Sequence, residues 1–93
     1  MPPKSPVPQE VSTELQRVVR RWQQLPLDRA LSCMPSVRLL LDHLAAPAAR
    51  VPDLGPAVVM DQLTVLVYDT CETGSIDPSD LASRLSGLRR ELG

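Results

Sequence analysis

The chain has 93 residues with a net charge of −1, and 43% of its residues are hydrophobic although only Trp22 and Tyr68 are aromatic. This length allows one domain with a single modest core, and the charge gives no general attraction to nucleic acid or to an anionic membrane. Two cysteines do not make a disulfide scaffold, and no secretory signal or apolar run of membrane-spanning length is present. We therefore expect a cytoplasmic protein.

The charge is distributed unevenly along the chain. Residues 1–50 carry seven basic and four acidic side chains, whereas residues 51–93 carry three basic and seven acidic ones. If the fold keeps these halves apart, the surface has a positive and a negative side. Such an arrangement permits head-to-tail contact between copies.

Prolines divide the chain into short apolar-periodic segments. Proline gathers at helix starts and connections because it lacks a backbone donor and fixes φ. Residues 1–9 hold four prolines, which predicts a flexible, extended tail. Residues 10–93 are predicted to form a single all-α domain, a compact bundle of about five short helices.

The first helix is predicted over residues 10–24. Its apolar residues fall within one arc at 100° per residue, and they are Val11, Leu15, Val18, Val19 and Trp22. Arg17, Arg20 and Arg21 lie on the opposite face. Leu25 precedes a proline, which disfavours the α conformation and ends the helix.

The next segment contains Pro35, and its pattern allows either two helices or one kinked helix. We interpret it as two. The first covers 29–34, is capped by Asp28, and directs Ala30, Leu31 and Met34 inward. The second starts near residue 36 and ends near residue 46. Its apolar face consists of Val37, Leu40, Leu41 and Leu44.

Residues 47–56 are predicted to form a loop in which Val51 and Leu54 anchor onto the core. A helix then runs over residues 56–72, with an inner arc of Val59, Leu63, Leu66 and Thr70. Further apolar residues flank this arc on both sides, at Val58, Val65, Met60, Val67 and Cys71. One neighbouring helix cannot cover so wide an arc, so this helix is either central or partly an interface.

The start of the last helix has the clearest signal in the chain. Gly74 closes the preceding helix, Asp77 is a helix N-cap, and Pro78 occupies the first helical position. A leucine stripe follows at spacings of four, three and four, formed by Leu81, Leu85, Leu88 and Leu92.

Few side chains are candidates for chemistry. His43 is the single histidine, and it lies off the apolar stripe beside Asp42, as expected of a surface residue. Cys33 and Cys71 lack the spacing of a metal site and are expected to be small buried hydrophobes. The four glycines are dispersed and form no phosphate loop. We predict neither enzymatic activity nor a cofactor.

Nucleic-acid binding is the alternative function. Short helices with tight turns are compatible with a small helix-turn-helix regulator, in which Arg17, Arg20 and Arg21 would contact phosphates. Against it, the later helices present mostly Asp, Ser and Thr where a recognition helix needs Arg, Lys, Asn or Gln. The arginines equally suit an ordinary solvated helix face.

Four segments resemble the effector-associated domains of bacterial conflict systems, which are common in actinobacteria. They are LQRVVRRWQQLP, SCMPSVRLLLDHL, VVMDQLTVLVYDTCE and DLASRLSGLRREL. The family pattern matches Arg38 with the following Leu39, Leu40 and Leu41, then Leu66, Val67 and Cys71, and finally Leu81, Leu85 and Leu88. The resemblance implies a death-fold-like adaptor that associates with like domains and thereby brings an NTPase, protease or other effector to its sensor. It implies no catalytic residues.

The candidate binding surface consists of charged and apolar residues that are not assigned to the core. Tyr68 is one of them, and its pattern fits an interface residue and a half-buried residue equally well. It comprises the arginine face of the first helix, an apolar flank and an acidic run. The residues are Arg17, Arg20, Arg21, Val58, Val65, Tyr68, Asp69, Glu72, Asp77 and Asp80. The expected partner is a like helical domain, on a second copy or on another protein, with no nucleic acid or membrane involved.

Overall fold

In a computed structural model, the described residues are 7–45 and 51–93, and all the regular structure in them is helical. The helices are α1 (Gln9–Gln24), α2 (Leu27–Ala45), α3 (Val59–Thr73) and α4 (Pro78–Leu92). The predicted all-α class is therefore confirmed. Four helices replace the expected five or so because the segment around Pro35 is continuous.

α1 begins after Pro8 and ends at Leu25, whose ψ of 138° takes the chain out of the helical conformation before Pro26. Four predicted inner residues of α1 are buried, and the fifth, Val19, packs half-buried against the core. Of the predicted tail, residues 1–6 lie outside the described residues. Val7 belongs to the same predicted tail, yet it is buried in the core.

α2 corrects the interpretation of two helices, because Pro35 lies inside a single helix of 19 residues. An internal proline removes one hydrogen bond to the carbonyl four residues earlier, here that of Leu31. Leu31 and Pro35 are both exposed, so this carbonyl lies on the solvent side. Six buried residues continue along one face on both sides of the proline, and their burial holds the two halves together: Ala30, Cys33, Val37, Leu40, Leu41 and Leu44.

The same helix corrects a second prediction. Leu31 was expected to face inward, but it lies on the outer side of α2, and Met34 is only half-buried. The reason is the helical phase. In one continuous helix the buried face is centred near Val37, and at 100° per residue Leu31 points about 120° away from it.

The connection to α3 is held by side chains donating to its backbone carbonyls. Arg38 donates to the Val51 and Pro52 carbonyls at 2.7 and 3.1 Å, and Trp22 Nε1 donates to the Pro56 carbonyl at 3.0 Å. Val51 packs against the core as predicted, whereas Leu54 is exposed and anchors nothing. Residues 47–50 of the predicted loop lie outside the described residues.

α3 and α4 are joined by a short turn that follows the predicted signals. α3 begins at Val59, three residues after the predicted start, because residues 56–58 form a turn. Gly74 adopts φ 70°, the left-handed conformation that closes many helices. The Asp77 side chain accepts a hydrogen bond from the Ser79 N–H at 3.2 Å, which caps α4.

The core lies where α1 packs along α4 and where α2 packs on α3 and α4, while α1 has little contact with α2 and α3 has little contact with α4. All four leucines of the α4 stripe are buried. α1 and α4 run parallel, since Glu14 midway along α1 contacts Arg89, and Arg21 near its end lies beside Gly93. The C-terminal ends of α1 and α4 therefore meet, which positions the site described below.

Candidate functional site

The α1 arginines and the last turn of α4 enclose one cleft. Its volume is about 410 Å³, and Gln24 and Gly93 complete its wall. We call it the arginine cleft, and its charged residues are Arg17, Arg20, Arg21, Arg89 and Arg90. The first three were predicted surface residues. The two from α4 join them because the parallel packing of α1 and α4 brings together residues about 70 positions apart.

One carboxylate, that of Glu14, forms ion pairs with residues of the arginine cleft. Glu14 accepts a hydrogen bond from Arg17 Nη1 at 3.0 Å and another from Arg89 Nε at 3.2 Å. Arg90 Nε donates to the Ser86 carbonyl at 3.4 Å. Arg20 and Arg21 form no ion pair with any carboxylate of the described residues. The cleft therefore holds a clear excess of positive charge.

A second surface is the outer side of α3. Val65 is 59% exposed and Tyr68 is 44% exposed, and Asp69 and Glu72 beside them are exposed as well. Val58, the remaining apolar candidate, is half-buried. We call Val65, Tyr68, Asp69 and Glu72 the α3 face. It combines exposed apolar area with negative charge, because α3 carries no basic residue.

Two of the predicted groups meet in a groove between α1 and α3. Arg20 and Tyr68 both line this groove, together with Gln16, Gln23 and Thr64. The α3 face therefore borders the arginine side of α1. A partner that covers Tyr68 also comes close to Arg20, which places a basic and an aromatic side chain within one contact area.

The acidic run lies at the turn between α3 and α4. Asp69 and Glu72 are in the last turns of α3, and Asp77 and Asp80 are at the start of α4. Asp77 caps α4, and Asp80 is paired with Arg84 at 3.3 Å. A helix of 15 residues is about 22 Å long, so the acidic run and the arginine cleft occupy opposite ends of α4.

Sequence reasoning missed one exposed apolar feature of the described residues. Leu27, Leu31 and Leu39 are exposed by 67%, 52% and 72%, and they lie on the outer side of α2 in line with Pro35. We call these three residues the leucine stripe. Its signal was the four-residue spacing from 27 through 31 and 35 to 39. That spacing has meaning only when α2 is read as one helix.

The chemically reactive side chains do not converge on a site in the part of the chain that the structure describes. Cys33 is buried, and His43 is exposed in a groove between α2 and α4. Cys71 is partly buried, and this burial raises the pKa of its thiol and disfavours the reactive thiolate. Within residues 7–45 and 51–93, no three His, Cys, Asp or Glu side chains are grouped so as to hold a metal ion.

Comparisons with known proteins identify no relative of this chain. No family model, no curated protein and no solved structure matches it. Among the described helices, none is long and apolar enough to cross a bilayer.

Proposed function

We propose that this chain is an adaptor domain that acts by associating with a like helical domain, on a second copy or on another protein. The observation that carries the proposal is the leucine stripe. Small domains rarely leave a contiguous apolar face uncovered unless it contacts a partner. Covering each of these half-exposed leucines is worth roughly 1–2 kcal/mol, so three of them supply a substantial part of a specific contact.

A second copy suits the leucine stripe geometrically. The residues of the stripe follow a four-residue spacing, and such a ridge packs into the matching grooves of another helix at a crossing angle of about −50°. The same ridge is present on α2 of every copy. Pairing α2 with α2 about a two-fold axis would therefore form a self-complementary interface.

The charged ends of α4 support association between like domains. One end carries the arginine cleft and the other carries the acidic run, so two copies attract one another when opposite ends approach. Such charges act mainly during encounter, whereas the apolar surfaces hold the complex. The α3 face gives the domain a second apolar surface, bordered by α1 and not by α4.

The role in a larger system follows from the resemblance of the four segments to effector-associated domains. In that role, the domain couples an NTPase, protease or other effector to its sensor in a bacterial defence or signalling system, without chemistry of its own. The partner would be a helical domain of similar size. Its apolar surface and charge distribution would match those of this chain.

Light scattering over a range of protein and salt concentrations tests the proposal. We expect mass to rise with concentration for the native chain, and Leu31→Asp and Leu39→Asp to abolish this rise without unfolding the domain. Ser83→Asp is the matched control, because it adds the same charge at an exposed position of α4. A strict monomer that also fails to bind proteins encoded by neighbouring genes would refute the adaptor function.

A further inference from the structure

The positive charge of the arginine cleft exceeds what the protein itself balances. Five guanidinium groups surround the cleft, and Glu14 is the carboxylate that contacts them, which leaves four positive charges. The C-terminal ends of α1 and α4 contribute partial negative charges of about 0.5 each. In the 93-residue chain the terminal carboxylate of Gly93, in the wall of the cleft, adds one negative charge, so about two positive charges remain uncompensated before Arg29 is counted.

Arg29 adds to this excess from the start of α2. Its Nη2 atom lies 3.5 Å from the position that a Cβ on Gly93 would take, and Arg21 Nη2 lies 3.8 Å from it. Gly93 belongs to the wall of the cleft. Residues from three helices, α1, α2 and α4, therefore direct guanidinium groups to the same end of the molecule.

Arg21 also has a donor without an acceptor. Its Nε atom is buried and finds no hydrogen-bond partner among the described residues. Buried donors are paired in the great majority of protein structures, and an unpaired one costs free energy. Because Nε is buried, an anion in the cleft would contact Arg21 through its Nη atoms, of which Nη2 lies beside Gly93.

The geometry points to a small polyphosphate anion as the ligand of the arginine cleft, and we propose this as a binding site of the domain. Arginine presents planar pairs of N–H donors that match phosphate oxygens in bidentate fashion. A chain of two or three phosphates carries about three to four negative charges, which is enough to balance the excess of about three that the cleft and Arg29 leave. The volume of about 410 Å³ is within the range of small-ligand sites.

The acidic run of another copy fits this cleft less well. Two of its four carboxylates are already engaged, since Asp77 caps α4 and Asp80 pairs with Arg84. Asp69 and Glu72 remain, and their two negative charges do not balance the excess of about three. The polyphosphate proposal does not depend on the adaptor function, because it concerns a ligand of the single domain.

Isothermal titration of the 93-residue chain with sodium tripolyphosphate tests the site, with any purification tag kept away from Gly93. At about 0.15 M salt, where exposed charges are largely screened, we expect saturable 1:1 binding. Sulfate should bind at least about tenfold more weakly, because it forms fewer charge-assisted hydrogen bonds. Arg20→Gln and Arg21→Gln should each weaken tripolyphosphate binding by about tenfold.

Two further variants make the result specific. Arg21→Lys keeps the charge but loses the planar donor pair, so its affinity should fall between those of the native chain and Arg21→Gln. Arg84→Gln is the matched control, since Arg84 is paired with Asp80 outside the cleft and its removal should leave the affinity unchanged. Circular dichroism checks that every variant folds. Arg20 is exposed, so its variant serves if Arg21→Gln unfolds.

An ATP titration distinguishes two sources of the same chemistry. Equal affinity for ATP and tripolyphosphate would mean that the cleft binds the phosphate chain alone, and a higher affinity for ATP would assign a nucleotide. The proposal is overturned if sulfate binds as tightly as tripolyphosphate, or if Arg84→Gln weakens binding as much as Arg20→Gln does. It is also overturned if duplex DNA or a second copy binds the cleft and tripolyphosphate does not displace it.

Discussion

Leu85 and Leu39 are both leucines within helices, yet Leu85 is fully buried and Leu39 is 72% exposed. Leu85 lies in the middle of the α4 stripe, against the core that α1 and α2 complete. Leu39 lies on the outer side of α2. Substituting each of them therefore compares what a core leucine and a surface leucine contribute to the free energy of unfolding.

Replacing Leu85 with alanine removes buried apolar contacts and leaves a cavity. We expect a loss of about 2–5 kcal/mol in the free energy of unfolding, which is a large fraction for a domain of this size. Chemical denaturation measures it. Leu39→Ala is the matched control and should change the free energy of unfolding by less than about 0.5 kcal/mol. Similar losses for both variants would mean that the leucine stripe is part of the core.

At the scale of the element, α2 is the helix in which local and tertiary signals conflict. Proline within a helix costs about 3 kcal/mol, and the sequence signal accordingly favours a break. The buried face of α2 continues on both sides of Pro35, and this shared burial outweighs the local cost. The continuity of α2 also aligns the residues of the leucine stripe. The main candidate surface therefore exists only because the helix continues through Pro35.

Pro35→Ala tests whether α2 is continuous. In one continuous helix, alanine restores a backbone donor near Leu31 and removes a steric conflict, so the free energy of unfolding should rise by about 1–3 kcal/mol. If the chain broke before Pro35, the proline would be well placed at a helix start. Alanine would then be neutral or destabilising by about 0.4–1 kcal/mol, because it gives the unfolded chain more freedom. Denaturation followed by circular dichroism distinguishes the two outcomes.

How well each element could be predicted depends on where its signals come from. α1 has its apolar spacing and its terminating proline within its own sequence, and α4 has its cap, proline and leucine spacing, so the bounds of α1 and the start of α4 were predicted to within one residue. The course of α2 through Pro35 is decided by tertiary packing, which no local pattern reveals. Arg89 could not be assigned to the arginine cleft for the same reason, since it depends on α1 and α4 packing in parallel.

At the scale of the whole molecule, the fold converts the uneven charge of the sequence into two charged ends. α4 spans the distance between them, with the acidic run at its start and the arginine cleft at its end. Five of the eight arginines in the described residues thus line one concave site. These arginines do not form the extended stripe that follows a nucleic-acid backbone.

Duplex DNA should accordingly bind only weakly. We expect no affinity beyond the non-specific range of about 10⁻⁴–10⁻⁶ M at physiological salt, because the net charge is −1 and the acidic run repels phosphates. Fluorescence anisotropy with unrelated duplexes measures this affinity. A submicromolar Kd that depends on the DNA sequence would favour the helix-turn-helix alternative over the adaptor function.

Association with a like domain should respond differently to charge and to apolar area. Exchanging Arg17, Arg20 and Arg21 for glutamate reverses the field at one end of the molecule, which should mainly slow association, and added salt should reduce this difference. Val65→Asp and Tyr68→Ala remove apolar contacts of the α3 face, so they should mainly speed dissociation, with little dependence on salt.

Binding kinetics on a surface that carries an immobilised like domain separate the two effects. Arg84→Glu is the matched control for charge, because this substitution changes the net charge in the same direction. Arg84 itself lies outside the arginine cleft and is paired with Asp80. All variants should keep the helical content of the native chain, since the substituted side chains lie outside the buried core. If α3-face variants left the dissociation rate unchanged while Leu31→Asp and Leu39→Asp raised it, the contact would belong to the leucine stripe alone. If Arg84→Glu slowed association as much per charge as the arginine-cleft variant does, steering would follow net charge and not the position of the arginine cleft.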